Sequence, residues 1–85
     1  MNWGLIIDDD AKKQLSKIPK KEAHRIGEGI EEVLIDPYSG DIQKIKGEKE
    51  IWRRRIGSYR VLYKLYKMQS VVYIFEIERR TSKTY

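Results

Sequence analysis

Cysteine is absent from the 85 residues, histidine occurs once, as His24, and proline only twice. Without cysteine there is neither a disulfide framework nor a thiolate zinc site, a composition that fits a reducing cytoplasm. A single histidine excludes most His-based metal sites and any His-rich catalytic cluster. No apolar run approaches the ~20 residues that a membrane helix needs. The opening MNWGLIIDDD has no basic segment and turns acidic within eight residues, so it is not expected to act as a signal peptide. What remains is a small, soluble, cytoplasmic chain, expected to form a single domain over residues 1–85. At this length roughly 60–65% of the unfolded surface is buried, enough for one modest core.

The charge is unevenly spread. Residues 1–42 carry six Lys/Arg against nine Asp/Glu, a net −3, whereas residues 43–85 carry twelve against four, a net +8. Such segregation suits a surface presented to a polyanion; the alternative is a solvated basic face with no partner.

Asn2–Ile7 reads as a short strand through alternation of Trp3, Leu5 and Ile7. Asp8 or Asp9 caps a helix whose first turn favours the remaining acids, with Ala11, Leu15 and Ile18 at helical spacing. Pro19 ends it and opens a second helix to Ile35, its buried stripe formed by Ala23, Ile26, Ile30, Val33 and Leu34. Gly27 and Gly29 each weaken that helix by roughly 1 kcal/mol relative to alanine, and are expected to let the two helices approach. Asp36-Pro37 stops it. The period then changes to two, with strands at 42–46, 51–56, 59–66 and 71–77. Short turns join them, so they form an antiparallel meander. The expected fold is α+β, β-α-α-β-β-β-β: a two-helix hairpin on one face of a mainly antiparallel sheet of four to five strands. The other face stays uncovered and polar.

The segment Ile51-Trp52-Arg53-Arg54-Arg55-Ile56 sorts the faces. Trp52 and Ile56 turn toward the helices and leave Arg53 and Arg55 on the open side. Arg54 is then expected to snorkel past the core edge. Arg60, across a tight turn at Gly57-Ser58, joins Arg53 or Arg55. Like charges opposite one another destabilise a sheet, so the cluster implies a task; the bland alternative is salt bridging to Glu48, Glu50, Glu76 and Glu78. Arginine suits phosphate because its planar fork donates paired hydrogen bonds and keeps its charge. Interleaved tyrosines suit the stacking of single-stranded bases, although Tyr63 and Tyr73 fit core or strand-pair positions better. Tyr85, in a polar tail, has no packing reason.

The element order, Ile45-Lys46-Gly47, Ile51–Tyr63 with its Gly-x-Tyr-Arg-x-x-Tyr phrase, and the closing Arg79-Arg80-Thr81-Ser82-Lys83-Thr84-Tyr85 together resemble the RelE/ParE superfamily of bacterial and archaeal toxins. RelE-like members are endoribonucleases that cut mRNA in the ribosomal A site; ParE-like members poison DNA gyrase. On this resemblance Arg53 matches a strand position that often carries lysine, Arg60 the arginine of the Tyr-Arg pair, Arg79 the arginine after the last strand and Tyr85 the tyrosine near the C-terminus, which favours the nuclease branch. Ile51 departs from the pattern where some nucleases carry a second lysine.

The resemblance implies a type II toxin, an mRNA interferase in which the RNA 2′-hydroxyl attacks the adjacent phosphate. The 5′-oxygen leaves and a 2′,3′-cyclic phosphate results, with no metal or cofactor required. Arg53, Arg60 and Arg79 would hold the phosphate and its developing charge. Arginine is too basic to accept a proton, so Tyr85 would take it, or else stack on a base. Lys46 and Lys83 are secondary candidates for proton transfer. Lys44, Lys46, Arg55, Arg80 and Lys83 would contact RNA. His24 lies on a helix across the fold. The implied partners are a cognate acidic RelB-like antitoxin that orders as it wraps the basic surface, and the ribosome with its mRNA; no membrane is involved. The alternatives are a ParE-like inhibitor of gyrase and an inactive relative that only binds an antitoxin.

Overall fold

The computed structural model describes residues 2–45, 47 and 50–79. In chain order the elements are β1 (Gly4–Ile7), α1 (Asp9–Ser16), α2 (Lys20–Ile35), β2 (Ile42–Lys44), β3 (Ile51–Ile56), β4 (Tyr59–Tyr66) and β5 (Val71–Arg79). The α+β arrangement expected from the sequence is present. The five strands lie in the order β1-β5-β4-β3-β2. Strands β2 to β5 form the antiparallel meander, and β1 adds to its far edge parallel to β5.

Local chemistry sets the boundaries. Asp8 caps α1, its Oδ2 accepting from the Asp10 amide at 3.1 Å, with Asp9 and Asp10 in the first turn. The second carboxylate oxygen of Asp8 accepts from the Tyr73 hydroxyl at 2.8 Å, which ties the helix start to β5. Pro19 is the N-cap of α2 rather than its first helical residue, and Asp36 ends the helix in an extended conformation, as the residue before a proline prefers.

Both helices cover one sheet face. Ala11, Ile26, Ile30 and Val33 meet Ile56, Tyr59, Val61, Tyr63, Leu65, Val72, Ile74 and Ile77 in a single buried cluster. Gly29 serves the contact between α2 and β3, not a contact between the helices. A Cβ there would lie 2.4 Å from Ile56 Cδ1, whereas Gly27 faces open space. The Tyr63 hydroxyl, fully buried, donates to the Pro37 carbonyl at 2.7 Å and pins the loop after α2 to the sheet. Burial pushes its pKa up to about 12.

Arg54 does not snorkel. It is 8% exposed on the helix side of β3, and its Nη2 meets Glu32 of α2 at 2.5 Å. A buried charge without a partner is costly, and Glu32 supplies one. Gly40, at φ +83°, supplies the space: a Cβ there would sit 2.5 Å from the Arg54 Cζ. Nε and Nη1 find no acceptor among the described residues, so the ion pair and packing hold the group rather than a full set of hydrogen bonds. No described helix is long and apolar enough to cross a membrane.

Candidate nucleic-acid interface

Strand parity leaves a second face without helices. Because Trp52, Arg54 and Ile56 point into or toward the core, Ile51, Arg53 and Arg55 point away from it. Register carries the pattern across the sheet. Gln43 of β2 pairs with Arg53 and Arg53 with Leu62; Arg55 pairs with Arg60, Arg60 with Glu78 and Leu62 with Glu76. Arg55, Arg60 and Glu78 thus form one row over β3, β4 and β5.

Arg53, Arg55 and Arg60 line a cleft of about 50 Å³ with Asp41, Ile42 and Gln43. Arg53 donates to the Gln43 amide oxygen. Arg55 faces Asp41 at 3.6 Å, both side chains more than half exposed, and Arg60 meets Glu78 at 3.2 Å. Two carboxylates against three guanidinium groups leave the cleft positive. Direct pairing of Arg55 with Arg60 costs sheet stability, and an anion seated between them would relieve that repulsion. The arrangement can bind a phosphate through forked donors and stabilise charge that develops on it.

On β5, opposite Leu62, the carboxyl of Glu76 is held above its ordinary range, first by a hydrogen bond with Glu78, then by burial and by the charge of Glu78. Glu50 is engaged elsewhere: it meets Lys67 at 2.8 Å, which lowers the Glu50 pKa and raises that of Lys67. Of the acids named as counterions, Glu78 therefore pairs with an open-face arginine and Glu50 does not; Glu48 lies outside the described residues.

The structure brings together Arg53, Arg55 and Arg60, as expected. Two other candidates fall elsewhere. Lys44 pairs with Trp52 on the helix side, its Nζ 5.8 Å from the indole centroid, because β2 pairs in a register that turns Gln43 outward instead. Arg79 is the last residue of β5, not a residue after the strand. It pairs with Tyr59 of the helix-side face, where its charge opposes the rise in the Tyr59 pKa caused chiefly by burial and then by the bond to Glu22. A bulge in β5 opposite Leu62/Tyr63 reverses the strand's parity and separates Arg79 from the cleft. Lys46, Arg80, Lys83 and Tyr85 lie outside the described residues. His24 is an exposed helix residue, 3.8 Å from Glu28. Asp41 and Gln43 were not singled out from the sequence; the signal available was the alternation of β2 opposite Arg53. No group of three or more His, Cys, Asp or Glu suited to a metal ion occurs among the described residues.

The model for the ParE toxin of type II toxin–antitoxin systems matches residues 5–83. The chain belongs to that toxin family. A curated protein of Methanocaldococcus jannaschii, named RelE1 and designated a candidate toxin, is 30% identical over 83 residues, covering 94% of this chain and 92% of the relative. The archaeal RelE–RelB complex of Pyrococcus horikoshii contains a chain that superposes with a TM-score of 0.83 at 25% identity, with 98% of this chain and 100% of that one covered. The isolated E. coli RelE toxin gives 0.84 at 19% identity, covering 95% of this chain and 87% of that one. RelE and ParE likenesses thus meet in one chain.

Proposed function

We propose that this toxin is a ribosome-dependent, metal-independent endoribonuclease, restrained by a cognate acidic antitoxin. The observation that carries the reading is the convergence of Arg53, Arg55 and Arg60 on one uncovered sheet face. A binding surface alone has no need for three guanidinium groups in mutual repulsion; a phosphate that gains charge in the transition state does. Arg53 and Arg60 grip the scissile phosphate. The 2′-hydroxyl attacks it in line, and the product ends in a 2′,3′-cyclic phosphate. Arg55 holds a neighbouring phosphate of the mRNA. Arg79, which ends β5 on the helix-side face, is set apart from this grip, and Tyr85 orients a base or moves a proton. Lys46, Arg80 and Lys83 add backbone contacts.

Solved RelE–RelB complexes of related toxins support an antitoxin partner, and the net +8 of residues 43–85 favours an acidic one. Programmed ribosomes with a defined mRNA provide the test. Cleavage within the A-site codon by the purified toxin, suppressed by its antitoxin, is the expected result. The match to the ParE model favours a second reading, a non-nuclease inhibitor of DNA gyrase. Inhibition of gyrase supercoiling without mRNA cleavage would establish that one instead.

A further inference from the structure

Three guanidinium groups can hold a phosphate but cannot accept a proton near neutral pH, so the nuclease reading above, on which this inference rests, leaves the proton acceptor to be chosen between Tyr85 and the carboxylates of the open face. We propose that Glu78 takes the proton of the attacking 2′-hydroxyl and that Glu76 returns a proton to the leaving 5′-oxygen. Two carboxylates on the open face touch the arginines of the cleft: Asp41, against Arg55 at its outer edge, and Glu78, against Arg60. Glu78 is the better placed. It stands directly opposite Arg60 in the Arg55–Arg60–Glu78 row, with about one-third of its side chain exposed against two-thirds for Asp41. Asp41 lies on the loop before the edge strand β2.

In the free protein Arg60 neutralises Glu78 at 3.2 Å. The scissile phosphate, arriving at Arg53 and Arg60, competes for the Arg60 guanidinium and releases the carboxylate beside the substrate. Substrate binding itself thereby uncovers the base. Atoms and charge balance. The 2′-O–H bond breaks and its proton goes to Glu78. The 2′-oxygen bonds phosphorus, and the P–O5′ bond breaks with its electron pair left on the 5′-oxygen. That oxygen takes the Glu76 proton. The pair ends with the same number of protons as it began, and exchange along the Glu76–Glu78 hydrogen bond restores the starting arrangement. The raised proton affinity of Glu76, caused first by that bond, suits the donor role.

The groups facing this pair are Arg60 opposite Glu78, Leu62 opposite Glu76 and Lys64 further along β4; Tyr73 shares the face on β5, and β1 ends at Ile7, opposite Ile74. The arginine and lysine stay charged through the range over which a carboxyl titrates, so an acidic limb in the rate profile reports the pair.

Single-turnover cleavage on programmed ribosomes, measured against pH for the wild type, Glu78→Gln, Glu78→Asp, Glu76→Gln and Tyr85→Phe, tests this. Glu78→Gln should slow cleavage about 10²-fold or more and lose the acidic limb. It should bind RNA as tightly as the wild type or more tightly, since Arg60 is freed. Glu78→Asp should recover part of the rate, and thermal melts confirm folding. Wild-type cleavage by Glu78→Gln overturns the proposal. So does an equal loss of rate and RNA affinity, which would make Glu78 a positioning residue for Arg60. Loss of rate in Tyr85→Phe alone overturns it in favour of that hydroxyl. A wild-type protein that leaves ribosome-bound mRNA intact refutes the nuclease reading itself, with this proposal; a cutting wild type with an equally active Glu78→Gln refutes only the carboxylate pair.

Discussion

Replacing Arg60 with alanine separates the energetics of the sheet from those of the reaction. The side chain is about one-third exposed and pairs with an equally exposed Glu78, so the ion pair is worth about 0–1 kcal/mol in water. Against this, Arg60 stands directly opposite Arg55, and removing one of two like charges returns about 0.2–1 kcal/mol. The two effects nearly cancel. Arg60→Ala should therefore fold, with a melting temperature within a few degrees of the wild type. For a chain this size 1 kcal/mol corresponds to about 4–8 °C.

Chemistry should respond far more. A guanidinium aimed at charge that forms only in the transition state contributes about 10²–10³ in rate. Growth arrest should disappear while the soluble, folded protein persists. Single-turnover cleavage and a thermal melt on the same preparation provide the assay, with gyrase inhibition alongside. A stable Arg60→Ala protein that arrests growth and cleaves mRNA at the wild-type rate would refute the placement of Arg60 at the scissile phosphate. A variant that loses activity only because it unfolds would refute the near-cancellation of the two stability effects.

RNA affinity should fall steeply with salt, and Arg53→Gln and Arg55→Gln should each flatten the slope by about 0.7, one single-stranded phosphate contact; an affinity indifferent to salt would defeat the open-face model. Tyr63→Phe leaves the Pro37 carbonyl without its buried donor and should cost about 1–3 kcal/mol in urea unfolding, with cleavage unchanged at temperatures where the variant is folded. Glu76 binds its proton more tightly folded than unfolded, so its contribution to stability is fully present below its unfolded value near 4.5 and is lost as pH rises through the folded value. Melts of the wild type and Glu76→Gln compared across pH 4–8 should therefore show the variant gaining relative stability toward neutral pH; a constant difference would remove the Glu76–Glu78 interaction from the folded state.

Much of the architecture was readable because local and global preferences agree. Three acids after a strand, a proline between two helical stripes and a change of period from 3.6 to two all point the same way. Residues alternating through Trp52 and Ile56 were enough to put Arg53 and Arg55 on the uncovered face. Arg54 was not readable in the same manner. Its burial depends on Glu32, twenty-two positions earlier, and on a glycine at position 40 with space for a guanidinium. Alternation says that a residue faces the core; it does not say whether a counter-charge waits there. Likewise Gly29 carried a signal of close approach, but only the packing shows that its neighbour is Ile56 of β3.

Arg79 shows where strand parity stops being a guide to the site. Before the bulge, Val72 and Ile74 of β5 face the helices; after it, Ile77 and Arg79 do, and Glu76 and Glu78 take the outer face. One extra residue, Phe75, exchanges the two sets. An unbroken register from the Tyr63–Ile74 pair would have turned Glu76 and Glu78 toward the core and put Ile77 opposite Arg60. Bulges are used to re-aim side chains, and this one has a chemical consequence. It sets the Glu78 carboxylate opposite Arg60, where the unshifted register would have placed the apolar Ile77. Without the bulge Arg60 would stand opposite Arg55 with no carboxylate on its other side. With it, the same strand supplies both the counterion that lets Arg55 and Arg60 coexist in the free protein and a group able to accept a proton once phosphate displaces it.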